Sequence, residues 1–133
     1  MQNPLTFLLI DDDEDDRELF LLALEDLDIE SRCVTAGSCM EALDLLNADT
    51  VRPDYIFLDL NMPLMNGREC LAELKQNIRL SGIPVIIFST SSEPADIAVT
   101  RELGAVGFIT KPSKITELTK VLSNFFQQEL HKK

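Results

Sequence analysis

Four short apolar runs in this chain each lead into a polar or charged residue. Leu5–Ile10 precedes Asp11-Asp12-Asp13, Tyr55–Leu58 precedes Asp59, Val85–Phe88 precedes Ser89-Thr90, and Val106–Thr110 precedes Lys111-Pro112. Apolar runs of this length, bounded by turn residues, read as buried strands. Strands buried on both faces belong to a parallel sheet covered by helices. In such a sheet the carboxyl ends of the strands open on one crevice, where ligands bind. The chain therefore predicts an α/β fold with acids, a hydroxyl and a lysine along a single edge.

The segments between the runs have helical spacing. The first helix is expected over about Glu14 to Leu27, with Phe20, Ala23, Leu24 and Leu27 on one face. Cys33 to Ala36 reads as a weaker second strand. Ser38 opens the second helix, and Glu41 three residues on completes a capping-box pattern. The third helix starts near Asn66 and is expected to bury Leu71, Leu74 and Ile78. Ser81 to Pro84 forms a turn into the fourth strand. Ser92-Glu93-Pro94 opens the fourth helix and Gly104 ends it. The last helix spans roughly Ser113 to Leu130, burying Ile115, Leu118, Leu122 and Phe125. Five strand–helix units suit a doubly wound, flavodoxin-like (βα)5 fold, a parallel five-stranded sheet in the order 2-1-3-4-5. The fourth helix has the poorest apolar stripe, Ile97, Ala98, Val99 and Leu103, and is expected to be the least firmly held.

Composition narrows the function classes. The 133 residues suffice for one domain with a core at about 5–130, and no output domain is expected. No apolar stretch approaches the ~20 residues that span a bilayer, and Met-Gln-Asn-Pro does not resemble a secretory leader. A cytoplasmic protein is the expectation. Its formal net charge of −11 opposes direct nucleic-acid binding, which rests on neutralising phosphates. Cys33, Cys39 and Cys70 show no CxxC spacing and read as small core or helix residues in a reducing compartment. The single histidine, His131, leaves no partner for a Ser-His or Cys-His hydrolase and makes a zinc site improbable.

In their order and spacing, the pair Asp11-Asp12, Asp59 with Met62-Pro63 and Gly67, Ser89, and Lys111-Pro112 resemble the receiver domain of two-component response regulators. The resemblance covers nearly the whole chain, from about Leu5 to the last helix. It implies that Asp59 is a phosphoacceptor and nucleophile. It implies a Mg²⁺ site made by Asp12, Asp59 and the backbone carbonyl of Asn61, with Asp11 acting through water. Hard oxygen ligands and one or two carboxylates suit that ion. Lys111 would offset charge on the transferred group, and Ser89 would bond the phosphoryl oxygen. Phe108 occupies the place of an aromatic switch residue. Asn61 and Ser91 stand where receivers tune phosphoryl lifetime. The Lys111–Pro112 bond is expected to be cis. The donor would be a sensor histidine kinase or histidine phosphotransfer protein, and the signal would pass to a downstream effector protein. The chain would be a phosphoacceptor rather than an enzyme.

Some readings compete. Asp13, Glu14, Asp15 and Asp16 read as a helix N-terminal cap run, although Asp13 could shift the metal register by one. Arg17, five residues beyond Asp12, favours the pair Asp11-Asp12. The run fails as a calcium loop, having Asp16 for the required Gly and Leu22 for the required Glu. Asp11-Asp12-Asp13 also mimics the nucleophile motif of haloacid-dehalogenase phosphohydrolases, but the late acidic pair of that class is missing. A receiver fold used as an unphosphorylated scaffold is the remaining alternative.

Overall fold

The structure, a computed structural model, describes residues 4–27, 29–91 and 93–131, the last three without side-chain detail. Ser92, expected to open the fourth helix, and the first three residues lie outside the described set. Strands and helices alternate: β1 (Leu5–Ile10), α1 (Glu14–Glu25), β2 (Ser31–Ala36), α2 (Cys39–Asn47), β3 (Tyr55–Leu58), α3 (Gly67–Gln76), β4 (Val85–Ser89), α4 (Pro94–Glu102), β5 (Gly107–Thr110) and α5 (Ile115–His131). All pairings are parallel and the sheet order is β2-β1-β3-β4-β5, as expected.

Alternation along each central strand divides the core into two layers. Leu8, Ile10, Ile56, Leu58, Val85 and Ile87 face one side, and pack with Cys39, Ala42 and Leu46 of α2 and Cys70, Leu71 and Leu74 of α3. Phe7, Leu9, Tyr55, Phe57, Ile86 and Phe88 face the other, against Phe20, Ala23 and Leu24 of α1 and Leu118, Leu122 and Phe126 of α5. A period of two on a sheet covered on both faces requires this division. The second layer is aromatic: Phe7 stacks on Phe126 at 5.0 Å, and Phe20 meets Phe57 at 5.1 Å.

Several expectations need correction. Ile78 is 94% exposed, because α3 ends at Gln76 and Asn77 turns extended. The Asn77 side chain accepts from the Arg79 N–H, its carbonyl accepts from Ser81, and Leu80 is buried instead. In α5 the fully buried aromatic is Phe126, with Phe125 packed beside it. Val106 lies outside β5 and is exposed. At α2, Ser38 accepts from Glu41 N–H, but the Glu41 carboxylate reaches Gly37 N–H, so the reciprocal box is not closed there. It closes at α3, between Asn66 and Glu69. No cis peptide occurs among the described residues, so Lys111–Pro112 is trans, the form an X–Pro bond prefers by default.

Cys39 and Cys70 form a disulfide between α2 and α3, with Cα atoms 5.7 Å apart. The expectation of reduced thiols fails for this pair. It is 31 positions apart in sequence, and only helix packing brings it together. Cys33 is the free thiol, and burial pushes its pKa up to about 12.

Gly67 fixes the relation of α3 to the end of β3. A Cβ there would lie 2.3 Å from the Asp59 carbonyl oxygen and 2.5 Å from Leu60 Cα, so any side chain would force this backbone to shift. Its N–H donates to the Leu60 carbonyl at 3.0 Å. Gly104, with φ of +113°, ends α4 in the left-handed region that L side chains rarely adopt.

Candidate functional site

The carboxyl ends of β1, β3, β4 and β5 meet on one edge. Parallel hydrogen bonds set their depth there. Asp59 N–H donates to the Ile10 carbonyl at 2.9 Å, and Lys111 N–H donates to the Ser89 carbonyl at 2.7 Å. An open cavity of about 510 Å³ lies above this edge, lined by Asp12, Asp13, Asp16, Asp59, Asn61, Thr90 and Lys111.

Asp11, Asp12 and Asp59 each offer a carboxylate oxygen, and these oxygens lie within 4.8 Å of one another. Asp11 is fully buried, Asp59 nearly so, and Asp12 is exposed toward the cavity. A hard divalent cation suits such a donor set, since it takes carboxylate oxygens and retains water. Asp13 is not in the cluster. It caps α1, accepting from Asp15 N–H at 2.9 Å and Asp16 N–H at 3.2 Å. Arg17 donates to the Asp11 carbonyl at 2.7 Å and ties the start of α1 to the end of β1.

Lys111 is the counter-charge. Its ammonium donates to Asp11 Oδ2 at 2.7 Å and to Asp16 Oδ2 at 2.8 Å, and stands 3.5 Å from Asp59 Oδ2. Burial works to lower its pKa, but the bonds to Asp11 and Asp16 and the nearby negative charges overcome this and hold it above its ordinary value. Burial pushes the Asp59 carboxyl up to about 6; Asp11 and Asp12 add to the rise, while Lys111 and the Asn61 N–H oppose it. Asp11 is also raised, chiefly by burial, despite its bond to Lys111. Crowded carboxylates in a poorly solvated pocket therefore resist ionisation, which is the electrostatic condition a cation relieves.

The remaining expected residues take different places. Asn61 lines the cavity, and its N–H donates to Asp59 Oδ1 at 3.3 Å. Ser89 is fully buried beneath the edge, while Thr90 faces the cavity. Ser91 N–H donates to Ser89 Oγ at 3.3 Å. Phe108 is half-buried, pairs with Ile87 across the sheet and packs against the α2/α3 layer. It lines a small cleft with Ile97, Thr100 and Arg101 of α4, away from the carboxylates. Asp16 was missed as a site residue. The acidic run at α1 conceals it, because one run holds both a cap and a lysine partner.

Fold and site together define a doubly wound α/β protein with a carboxylate–lysine pocket whose acids could hold a divalent cation. The family described as response regulator receiver domain matches residues 7–123. The chain is 32% identical to the response regulator Rcp1 of Synechocystis over 90% of its own length and 84% of that protein. It superposes on the phosphorylated cyanobacterial phytochrome response regulator RcpA with a TM-score of 0.84, at 34% identity, covering 92% of this chain and 91% of that one. The Mn²⁺-bound form of Rcp1 gives 0.81 at 32% identity, with 91% of each chain covered. Some relatives are longer: the chain spans 54% of the Escherichia coli nitrate/nitrite regulator NarL, with 35% identity over 91% of its own length. This chain belongs to the response regulator receiver family, the signalling domains of two-component systems. Among the described residues, no helix is long and apolar enough to cross a membrane.

Proposed function

We propose that this chain is a Mg²⁺-dependent phosphoacceptor that takes a phosphoryl group onto Asp59 from a histidine of a sensor kinase or phosphotransfer protein. It works in the cytoplasm and passes the signal to an effector protein by changing its surface, not by contacting nucleic acid. The supporting observation is the Lys111 ammonium 3.5 Å from Asp59 Oδ2, beside three carboxylates with oxygens within 4.8 Å of one another. An Asp59 oxygen attacks phosphorus, a P–O bond forms, and the P–N bond to the donor imidazole breaks with its electron pair going to nitrogen. Asp12, Asp59 and the Asn61 carbonyl would hold the cation, with Asp11 acting through water, and the cation when bound supplies positive charge to the transferring group. Lys111 supplies the same from the β5 side, and the Ser89 hydroxyl is the donor for a phosphoryl oxygen.

Two solved relatives support the metal and the modification: Rcp1 was obtained with Mn²⁺ and RcpA in a phosphorylated form. Because RcpA is a phytochrome response regulator, a light-sensing histidine kinase is the first donor to try. Placement disfavours the phosphohydrolase alternative: its nucleophile would be Asp11, which is fully buried and absent from the cavity lining, whereas Asp59 lines the cavity. Incubation with a small acyl phosphate and Mg²⁺ should add one phosphoryl group by intact mass, labile to hydroxylamine and absent in Asp59→Asn. An adduct that survives in that variant sinks the assignment; no adduct in the parent chain leaves the scaffold reading.

A further inference from the structure

The Cys39–Cys70 disulfide takes no part in the chemistry at Asp59, yet both of its ends stand beside that site. Cys39 is the first residue of α2, and Cys70 lies in the first turn of α3. On the α2 side, Gly37 and Ser38 separate Cys39 from Ala36, whose carbonyl accepts from Asp11 N–H at 3.0 Å. On the α3 side, Cys70 N–H donates to the Asn66 carbonyl at 2.9 Å, and Gly67 in the same turn donates to the Leu60 carbonyl at 3.0 Å. The disulfide thus ties the backbone that follows β2 to the backbone that follows β3. The first holds Asp11 by a hydrogen bond, and the second carries Asp59. Both cysteines are buried, in one layer with Leu60 and Met62 of the β3–α3 loop. Cys33 cannot exchange with them. It packs in the layer on the other face of the sheet, and burial keeps its thiol un-ionised, whereas exchange needs a thiolate.

We propose that Cys39–Cys70 is a redox-sensitive site: the bond keeps Asp59 competent to accept a phosphoryl group, and its reduction slows that step. The proposal rests on the phosphoacceptor reading of Asp59. In the cytoplasmic setting proposed with it, disulfides are rare, and those that occur are chiefly transient, catalytic or redox-sensing. The step is thiol–disulfide exchange with a dithiol. One thiolate of the dithiol attacks a sulfur of the pair, the S–S bond breaks, and the other cysteine leaves as a thiolate. The second sulfur of the dithiol then closes on the first and releases the remaining cysteine. Two electrons and two protons pass to Cys39 and Cys70, and the dithiol leaves as a disulfide. Because the pair is buried, exchange proceeds through local opening of a helix start. Two separate thiols need non-bonded contacts of their own, and a close-packed layer has no spare room for them. The first turn of α3 cannot yield toward β3, since Gly67 already abuts Asp59 and Leu60. Displacement therefore draws Gly67 from the Leu60 carbonyl and frees the loop that carries Asn61, whose N–H donates to Asp59 Oδ1 at 3.3 Å. Cys39 and Cys70 are positioning residues; neither touches the reacting atoms.

The test compares the whole chain oxidised with the same chain reduced by dithiothreitol and freed of excess reagent. Alkylation in denaturant should add one group to the oxidised chain and three to the reduced one. Adduct formation with acetyl phosphate and Mg²⁺ is then timed by intact mass, at a temperature where circular dichroism shows both forms folded. The reduced chain should react about threefold or more slowly, well within the ~100-fold that a misplacement of ~1 Å can cost. Reoxidation with oxidised glutathione should restore the rate. Cys39→Ser and Cys70→Ser should react slowly with and without dithiothreitol, whereas Cys33→Ala should respond as the parent does. An equal or faster rate in the reduced chain overturns the coupling, as does an undiminished response to dithiothreitol in Cys39→Ser. Three alkyl groups on the chain after oxidation overturn it by removing the bond. A reduced chain unfolded at every temperature overturns it by making the bond a staple alone. No adduct in either thiol state refutes the phosphoacceptor reading, and the coupling falls with it.

Discussion

The Lys111 ammonium donates to Asp16 Oδ2 at 2.8 Å, across 95 positions of sequence. The bond joins the β5–α5 loop to the first turn of α1, and it shares the lysine between two carboxylates, since Asp11 is 2.7 Å from the same nitrogen. One helix start therefore holds two kinds of acid. Asp13 satisfies backbone N–H groups, and Asp16 reaches over the cavity to the lysine.

Asp16→Asn should lower stability by about 1 kcal/mol or less, since the carboxylate is 31% exposed and partly screened. Lys111 keeps Asp11 as its partner, so an adduct on Asp59 should still form. A shift in urea midpoint with no change in slope would show this. A loss of several kcal/mol would mean that Asp16 carries more of the loop's order than its exposure allows.

Asp59→Asn should stabilise the metal-free protein at pH 7. The folded carboxyl is raised from 3.8 to about 6, so between those values the native state holds a proton that the unfolded chain has lost. Stability then falls as pH rises through that window, and the penalty is complete above pH 6. A rise of that size corresponds to about 3 kcal/mol at most. Melting across pH 4 to 8 without metal should show a flatter profile in the variant; parallel profiles would contradict the buried, raised carboxyl.

Mg²⁺ should raise the melting temperature of the parent chain, because the native cluster binds it and the unfolded chain does not. At a free concentration about a hundred times Kd the gain is ~2.7 kcal/mol. Asp12→Ala should blunt that gain. An equal response in this variant would place the ion elsewhere, with Asp13 the next ligand to examine.

Gly67→Ala should cost on the order of 1–3 kcal/mol, the usual range for overpacking, because backbone atoms of Asp59 and Leu60 occupy the space its Cβ needs. It should also slow adduct formation by shifting the end of β3. Gly82→Ala is the control, since nothing lies within 4 Å of the added atom. Comparable losses in both would remove the close approach as the cause.

Beryllofluoride with Mg²⁺ should change hydrogen exchange in α4, β5 and the start of α5. Phe108 and Thr100 line one cleft between α4 and β5, and α4 buries only one of its residues. Change restricted to the residues lining the carboxylate cavity would argue against a surface that responds to the phosphoryl group.

Much of this protein was legible in one dimension. Periods of two and near four set the strands and helices, and the polar ends of the strands set the edge where Asp11, Asp12, Asp59 and Lys111 gather. Those signals are local: a side chain's face follows from its position along a regular backbone. Helix limits were less legible. Ile78 continues the apolar spacing of α3 yet is exposed, because Asn77 offers its own side chain and carbonyl to the turn and ends the helix first.

Tertiary structure alone decided the partners. Asp16 among six consecutive acids, Cys39 with Cys70, and Asp96 between Arg68 and Ser91 have no mark in spacing or composition. Each partnership joins separate elements, or ties a helix to the loop before it, at distances set by packing. Sequence determined which residues stand at the carboxyl edge, since strand alternation and right-handed crossovers leave few other arrangements. Which carboxylate meets which cation there was fixed only by the folded backbone, because a charge pairs with whatever lies within a few ångströms, and sequence separation does not measure that.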